Sequence, residues 1–189
     1  MFTGIIQAKG RVVRQGGGRL VVASPELAPA LQPGGSIAVN GACLTVTEAD
    51  AESFAADVVE ETLRRTNLGR LEPGQEVNLE PPLTLQQPLD GHLVLGHVDA
   101  TGRVLEAGER LTVELPPPLR PYVAEKGSIA VDGVSLTVAA VDDAAGSFSV
   151  ALIPTTLAAT IAGIYGPGTL VNLEIDVMAR YAERVLACR

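Results

Sequence analysis

The sequence predicts an all-β chain of two similar small domains, with few short helices and one longer helix at the C-terminus. Three observations predict it. The first is an internal repeat: GSIAVNGACLTV, from Gly35 to Val46, returns as GSIAVDGVSLTV, from Gly127 to Val138, with nine of twelve positions identical and an offset of 92 residues. Gly10-Arg11-Val12 returns as Gly102-Arg103-Val104, Ser53-Phe54 as Ser147-Phe148, and Val77-Asn78-Leu79-Glu80 as Val171-Asn172-Leu173-Glu174. A period this long is a whole small domain and not a solenoid unit. The second is the density of turn residues, 20 Gly and 13 Pro, between short β-type runs. The third is an amphipathic period confined to the last residues.

The elements follow in order. Arg19 to Val22, Ser36 to Val39, Leu44 to Val46 and Ser53 to Val59 are apolar or β-branched runs that read as strands. Asn40-Gly41 and its counterpart Asp132-Gly133 read as hairpin turns, because Asn, Asp and Gly tolerate the positive φ that such turns require. Many short strands with frequent turns indicate small barrels or sandwiches. Glu60 to Thr66 reads as a short helix, with Thr156 to Ile161 as its counterpart. Pro81, Pro82 and Pro88 mark a connector, with the domain boundary between Leu85 and Asp90. The expected units are 1–87, 88–175 and a helix over 176–189. In that helix Val177, Tyr181 and Val185 share a face beside Met178, Ala182 and Leu186, and Asp176 is a suitable N-cap. It has no counterpart in the first copy. It either docks onto another subunit or packs on its own domain.

Composition excludes several function classes. Hydrophobic residues make up 47% of the chain, which suits a globular core. The net charge is −8, with no basic stripe, three Tyr, three Phe and no Trp, which argues against a nucleic-acid surface. No apolar run approaches the ~20 residues of a membrane span. MFTGIIQAKG lacks the pattern of a secretory signal, so a cytoplasmic location is expected. Cys43 and Cys188 cannot build a disulfide framework and are expected to be reduced. There is no P-loop, dinucleotide fingerprint or nucleophile elbow.

Two copies of one fold offer two copies of one pocket, which suits chemistry on two similar molecules. The copies differ where chemistry would sit: Cys43 corresponds to Ser135, Asn40 to Asp132, Ile5 to His97 and Gly34 to Lys126. Cys43 alone reads as a small buried hydrophobe, but Ser135 at the matching position would be misplaced in a dry core, so both point to a pocket. Thr45 and Thr137 share their strand faces. His92 and His97 each follow a glycine, and no further ligands complete a metal signature. One histidine reads as a site residue and the other as a structural hydrogen bonder.

MFTGII, NGACLTV, EETLRRTNLG, GHLVLGHVDATG, KGSIAVDGVSLTV, LIPTTL and VNLEIDVMARYAERVL together resemble the riboflavin synthase α-chain (lumazine-binding repeat) family over nearly the whole chain. The resemblance implies two tandem six-stranded Greek-key β-barrels plus a C-terminal α-helix that assembles a homotrimer. It implies dismutation of two 6,7-dimethyl-8-ribityllumazine molecules to riboflavin and a pyrimidinedione, with no cofactor and no metal. Association with a lumazine synthase is a further partner it implies. The substrate-binding residues it implies are Gly4, Ile5, Ile6, Cys43, Leu44, Thr45, Asp57, Val58, Val59, Glu60, Glu61, Thr62, Gly96, His97, Val98, Lys126, Ser135, Leu136, Thr137, Leu152, Ile153, Pro154, Thr155, Thr156 and Leu157. Cys43, His97 and Ser135 are the implied catalytic residues: His97 for proton transfer, Cys43 for lining or attack, and Ser135, with Thr137 and Lys126, for ring binding and anion stabilisation. The site is expected between the N-terminal barrel of one subunit and the C-terminal barrel of its neighbour. Two positions depart from the family pattern: Leu95 stands where Ser is usual, and Thr155 where His or Glu is frequent. A non-catalytic lumazine or flavin carrier of the same fold is the alternative.

Overall fold

In the computed structural model, which describes residues 1–188, the strands close into two antiparallel barrels. The first comprises β1 (Ala8–Gly16), β2 (Arg19–Ala23), β3 (Ser36–Val39), β4 (Ala42–Ala49), β5 (Ser53–Asp57) and β6 (Glu76–Glu80). The second comprises β7 (Ala100–Glu106), β8 (Arg110–Glu114), β9 (Ser128–Val131), β10 (Val134–Asp142), β11 (Ser147–Ala151) and β12 (Leu170–Ile175). The barrel orders β1-β2-β5-β4-β3-β6 and β7-β8-β11-β10-β9-β12 are the same Greek key twice. Closure leaves no free sheet edge. It is helped by bulges at matching places, between Val46 and Glu48 and between Val138 and Ala140.

Alternation along each strand separates core from surface. In β4, Ala42, Leu44 and Val46 turn inward while Cys43 and Thr45 face out. The first core gathers Leu20, Ile37, Phe54, Leu68 and Leu79, and the second gathers Leu111, Ile129, Phe148, Leu173 and Ile175. The hairpin turns form as the sequence predicts, with φ of 45° and 75° at Asn40 and Gly41 and 43° and 78° at Asp132 and Gly133. The two tips meet: a Cβ on Gly41 would lie 2.6 Å from the Gly133 nitrogen.

Helix bounds differ slightly from expectation. β5 ends at Asp57, one in-register bond before the turn into α1, the Val58 N–H donating to the Gly18 carbonyl at 2.7 Å. Helix α1 then spans Glu60–Arg65. Helix α2 spans Pro154–Ala159, starting earlier than read because Pro154 suits a first turn. Ile161 instead opens a 3-10 turn, its N–H donating to Asn78 Oδ1 at 2.9 Å. Helix α3, Val177–Ala187, is capped by Asp176, whose side chain accepts from the Met178 N–H at 2.8 Å. Val177 is buried and Arg180 pairs with Asp99 at 2.7 Å, but Met178, Tyr181, Val185 and Leu186 stay 59–66% exposed. Among the described residues no helix is long and apolar enough to cross a membrane.

The barrels are joined in a way the repeat does not announce. The segment leading into each barrel crosses to the other. Residues 2–4 lie against β10 of the second barrel, where the Ser135 N–H donates to the Gly4 carbonyl at 2.8 Å. Residues 94–98 lie against β4 of the first, where the Cys43 N–H donates to the Gly96 carbonyl at 2.9 Å. The arms pair with each other midway, Phe2 bridging Val94. Phe2, Ala38, Val94 and Ala130 form a small apolar cluster there, with Cys43 at its edge.

Candidate active site

The crossing arms produce two equivalent junctions on the outer faces of the barrels, and the first opens a cleft. There Cys43 projects from β4, with Thr45 beyond it on the same strand face. The arm lays Gly96, His97 and Val98 across from them, and α1 contributes Glu61 and Thr62. The cleft holds about 160 Å³. Gly96 has φ of 80°, and a Cβ there would meet that of Cys43 at 2.5 Å, so only glycine lets the arm approach this closely. Glu61 accepts from Arg64 at 2.5 Å and also from Arg65. These bonds hold its carboxyl below the ordinary 4.5, the Arg65 bond most of all.

At the second crossing Ser135 takes the place of Cys43 and Gly4 that of Gly96, with φ of 76° and the same close approach. Ser135 Oγ lies 2.7 Å from His92 Nδ1. His92 is placed by the arm pairing, its N–H donating to the Thr3 carbonyl at 3.1 Å. Burial pushes its imidazolium below the ordinary 6.5, against a smaller opposing pull from Asp176. The ring is therefore neutral at pH 7. One nitrogen engages Ser135, while Nε2 has no partner among the described residues.

The residues chosen from the sequence distribute as follows. Cys43, Thr62, Gly96, His97, Val98 and Glu61 converge on one cleft. Gly4 and Ser135 meet at the other arm crossing, together with His92. Within one chain His97 is thus grouped with Cys43 and not with Ser135. The outward residues Ile5, Thr45, Asp57, Val59, Glu60, Thr137, Ile153, Pro154 and Thr155 are exposed, and Ile6 and Thr156 half-buried. Leu44, Val58 and Leu152 are buried in the barrel cores, with Leu136 and Leu157 packed against the second core, so these side chains face away from the clefts. Lys126 is exposed with φ of 65°, where its counterpart Gly34 has 86°. A lysine held where glycine is favoured costs about 1 kcal/mol. A larger cavity, about 550 Å³, contains none of these residues and has Asn40, Asn67, Asp132 and Tyr165 in its wall, already bonded to one another. Cys43, His97 and Glu61 lie in the smaller cleft. Among the described residues no three His, Cys, Asp or Glu are grouped to hold a metal.

A family model described as the lumazine binding domain matches this chain twice, at residues 3–81 and 95–176. The chain belongs to the lumazine-binding family. Its two matches coincide with the two barrels and begin in the two arms. Curated relatives named riboflavin synthase include one from Mycobacterium tuberculosis (strain ATCC 25618 / H37Rv), 46% identical over 98% of each chain. Another, from Actinobacillus pleuropneumoniae, is 41% identical over 98% of this chain and 90% of that one. A third, from Schizosaccharomyces pombe, is 36% identical over 98% and 94%. Among lumazine-binding folds already solved, LumP complexed with riboflavin superposes with a TM-score of 0.80 at 24% identity, covering 93% of this chain and 99% of that one. LumP complexed with 6,7-dimethyl-8-(1′-D-ribityl)lumazine gives 0.78 at 22%, covering 92% and 98%. These last two establish the fold alone.

Proposed function

We propose that this chain catalyses the riboflavin synthase reaction: two 6,7-dimethyl-8-ribityllumazine molecules dismutate, one giving a four-carbon unit to the other, to yield riboflavin and 5-amino-6-ribitylamino-pyrimidinedione. The observation that carries this reading is the pair of equivalent but unequal arm crossings, one with Cys43 and His97 at a cleft, the other with Ser135 bonded to His92. One architecture lined by different groups suits two identical molecules in different roles. The curated relatives at 36–46% identity support the same activity.

The chemistry asks for a proton to leave the C7 methyl of one ring, for C7 of the other to accept a nucleophile, and for the resulting anion to be held. His97 is the proton-transfer group and Cys43 lines the ring or attacks it. Ser135, Thr137 and Lys126 bind the second ring and stabilise negative charge. Opposed stacking of two bound rings replaces a collision in solution, and such placement lowers barriers by several kcal/mol. Incubating the purified chain with ribityllumazine is expected to build flavin absorbance, one riboflavin for each two lumazines consumed. Stoichiometric binding without turnover would instead support the carrier reading. Retention of Cys43, His97, Lys126 and Ser135 favours the enzyme.

A homotrimer is part of the proposal. A cleft of about 160 Å³ open to solvent does not enclose two stacked heterocycles. A neighbour's second barrel placed over the first barrel's cleft would close it. Helix α3, with Met178, Tyr181, Val185 and Leu186 uncovered, is the surface offered for assembly. Tyr181→Glu is expected to make the assembly dissociate on dilution, read by sedimentation velocity. An unchanged sedimentation profile would remove α3 from the interface.

A further inference from the structure

We propose that Glu80 and Glu174 are the positioning residues of the two arm crossings, each gripping the arm that its own barrel sends across to the other. Both close the repeated VNLE block, at the ends of β6 and β12. Glu174 accepts backbone N–H bonds from Leu95 at 2.7 Å, Gly96 at 3.0 Å and His97 at 3.0 Å. Glu80 accepts from the Thr3 N–H at 2.6 Å, the Thr3 hydroxyl at 2.8 Å and the Gly4 N–H at 3.0 Å. The left-handed glycine in each arm turns successive N–H groups toward one point, a concavity that binds an anion. Here a carboxylate of the same chain fills it.

The arrangement matters because Glu174 does not line the cleft it organises. Glu174, in the second barrel, fixes the backbone of His97 over Cys43 of the first. Glu80, in the first, fixes Gly4 against Ser135 of the second. Both side chains are buried, and burial raises both carboxyls, Glu174 to about 6. Asp99, paired with Arg180, adds to the rise at Glu174, and the N-terminal ammonium opposes it at Glu80. The N–H bonds that each accepts pull the other way. Glutamine in place of either keeps the shape but offers one acceptor oxygen and turns an NH2 against a donor.

The inference rests on the proposed dismutation, and the test separates the two. In a Cys188→Ser background, Cys43 is the remaining thiol, and its labelling by a small disulfide reagent reports how firmly residues 95–98 cover it. Glu174→Gln is expected to lower kcat by at least about 10-fold with little change in KM, as for reacting groups displaced by less than an ångström. It should also accelerate Cys43 labelling about fivefold by loosening the arm. Glu80→Gln is expected to lower kcat similarly while leaving Cys43 labelling at the parent rate. Glu174→Asp keeps the charge but is one methylene short, and should fall between parent and glutamine variant in both readouts. Parent-like labelling in Glu174→Gln, or faster labelling with unchanged kcat, would overturn the proposal. So would a Glu174→Asp that labels like the parent beside a Glu174→Gln that does not fold. Failure of the parent chain to form riboflavin would sink the dismutation, and the labelling contrast would still decide this inference.

Discussion

His97→Gln is expected to lower kcat about 100-fold with KM little changed, the scale lost when a positioned proton-transfer group is removed. Imidazole both takes and gives a proton near neutral pH, and glutamine keeps its reach and hydrogen bonding without that ability. His97 suits the part because its backbone is pinned by Glu174 while its side chain is exposed toward the cleft of Cys43. His92 supplies the internal comparison. It is buried, held neutral, and bonded to Ser135, so His92→Gln should disturb the orientation of the serine and cost only about 10-fold. Steady-state rates of flavin formation for both variants make the measurement. If His97→Gln turns over like the parent, the proton leaves by another route. If His92→Gln is the more damaging, the neutral imidazole–serine pair is the acid–base centre.

Much of this was legible because a repeated sequence displays its own turns. Asn40-Gly41 and Asp132-Gly133 fix two hairpins at equal places, and strand alternation then puts Cys43 with Thr45 and Ser135 with Thr137 on the outer faces. The grouping of histidines was not legible. It depends on the exchange of arms, and the partners that hold the arms are backbone N–H groups, which every residue carries and no side-chain pattern advertises. Glu80 and Glu174 stood in plain sight as the last letters of a repeated block, yet a glutamate ending a strand reads as a solvated surface charge. Their burial needed coordinates. The same holds for α3: its pattern showed an apolar face, and only the packing showed that Val177 alone of that face is covered.

Asp132→Asn is expected to stabilise the fold by on the order of 2 kcal/mol more at pH 8 than at pH 5. Asp132 lies at the inter-barrel hairpin tip, 1% exposed. Its Oδ1 accepts from Asn67 Nδ2 at 2.9 Å and the Asn172 N–H at 2.8 Å, and its Oδ2 from the Tyr165 hydroxyl at 2.7 Å. Burial pushes its carboxyl from 3.8 up to about 7, more than these donors pull it down. A carboxyl that holds its proton more tightly folded than unfolded favours the fold most below about pH 4. That contribution is lost as pH rises toward 7, and above 7 the fold carries an ionised buried group. Asparagine removes the charge and keeps the geometry. Its counterpart Asn40 already occupies this turn at φ 45° and accepts from the Asn78 N–H at 2.8 Å. In the variant, Oδ1 would still accept from Asn67 and Asn172, and Nδ2 would donate to the Tyr165 oxygen. The hydroxyl proton of half-buried Tyr165 would then turn to water in the 550 Å³ cavity. Urea unfolding of parent and variant at the two pH values makes the comparison, since Glu174 and Glu80 titrate alike in both and cancel. A variant less stable at pH 8 would mean that the ionised Asp132–Tyr165 bond outweighs the burial of its charge, reversing the sign argued for this junction.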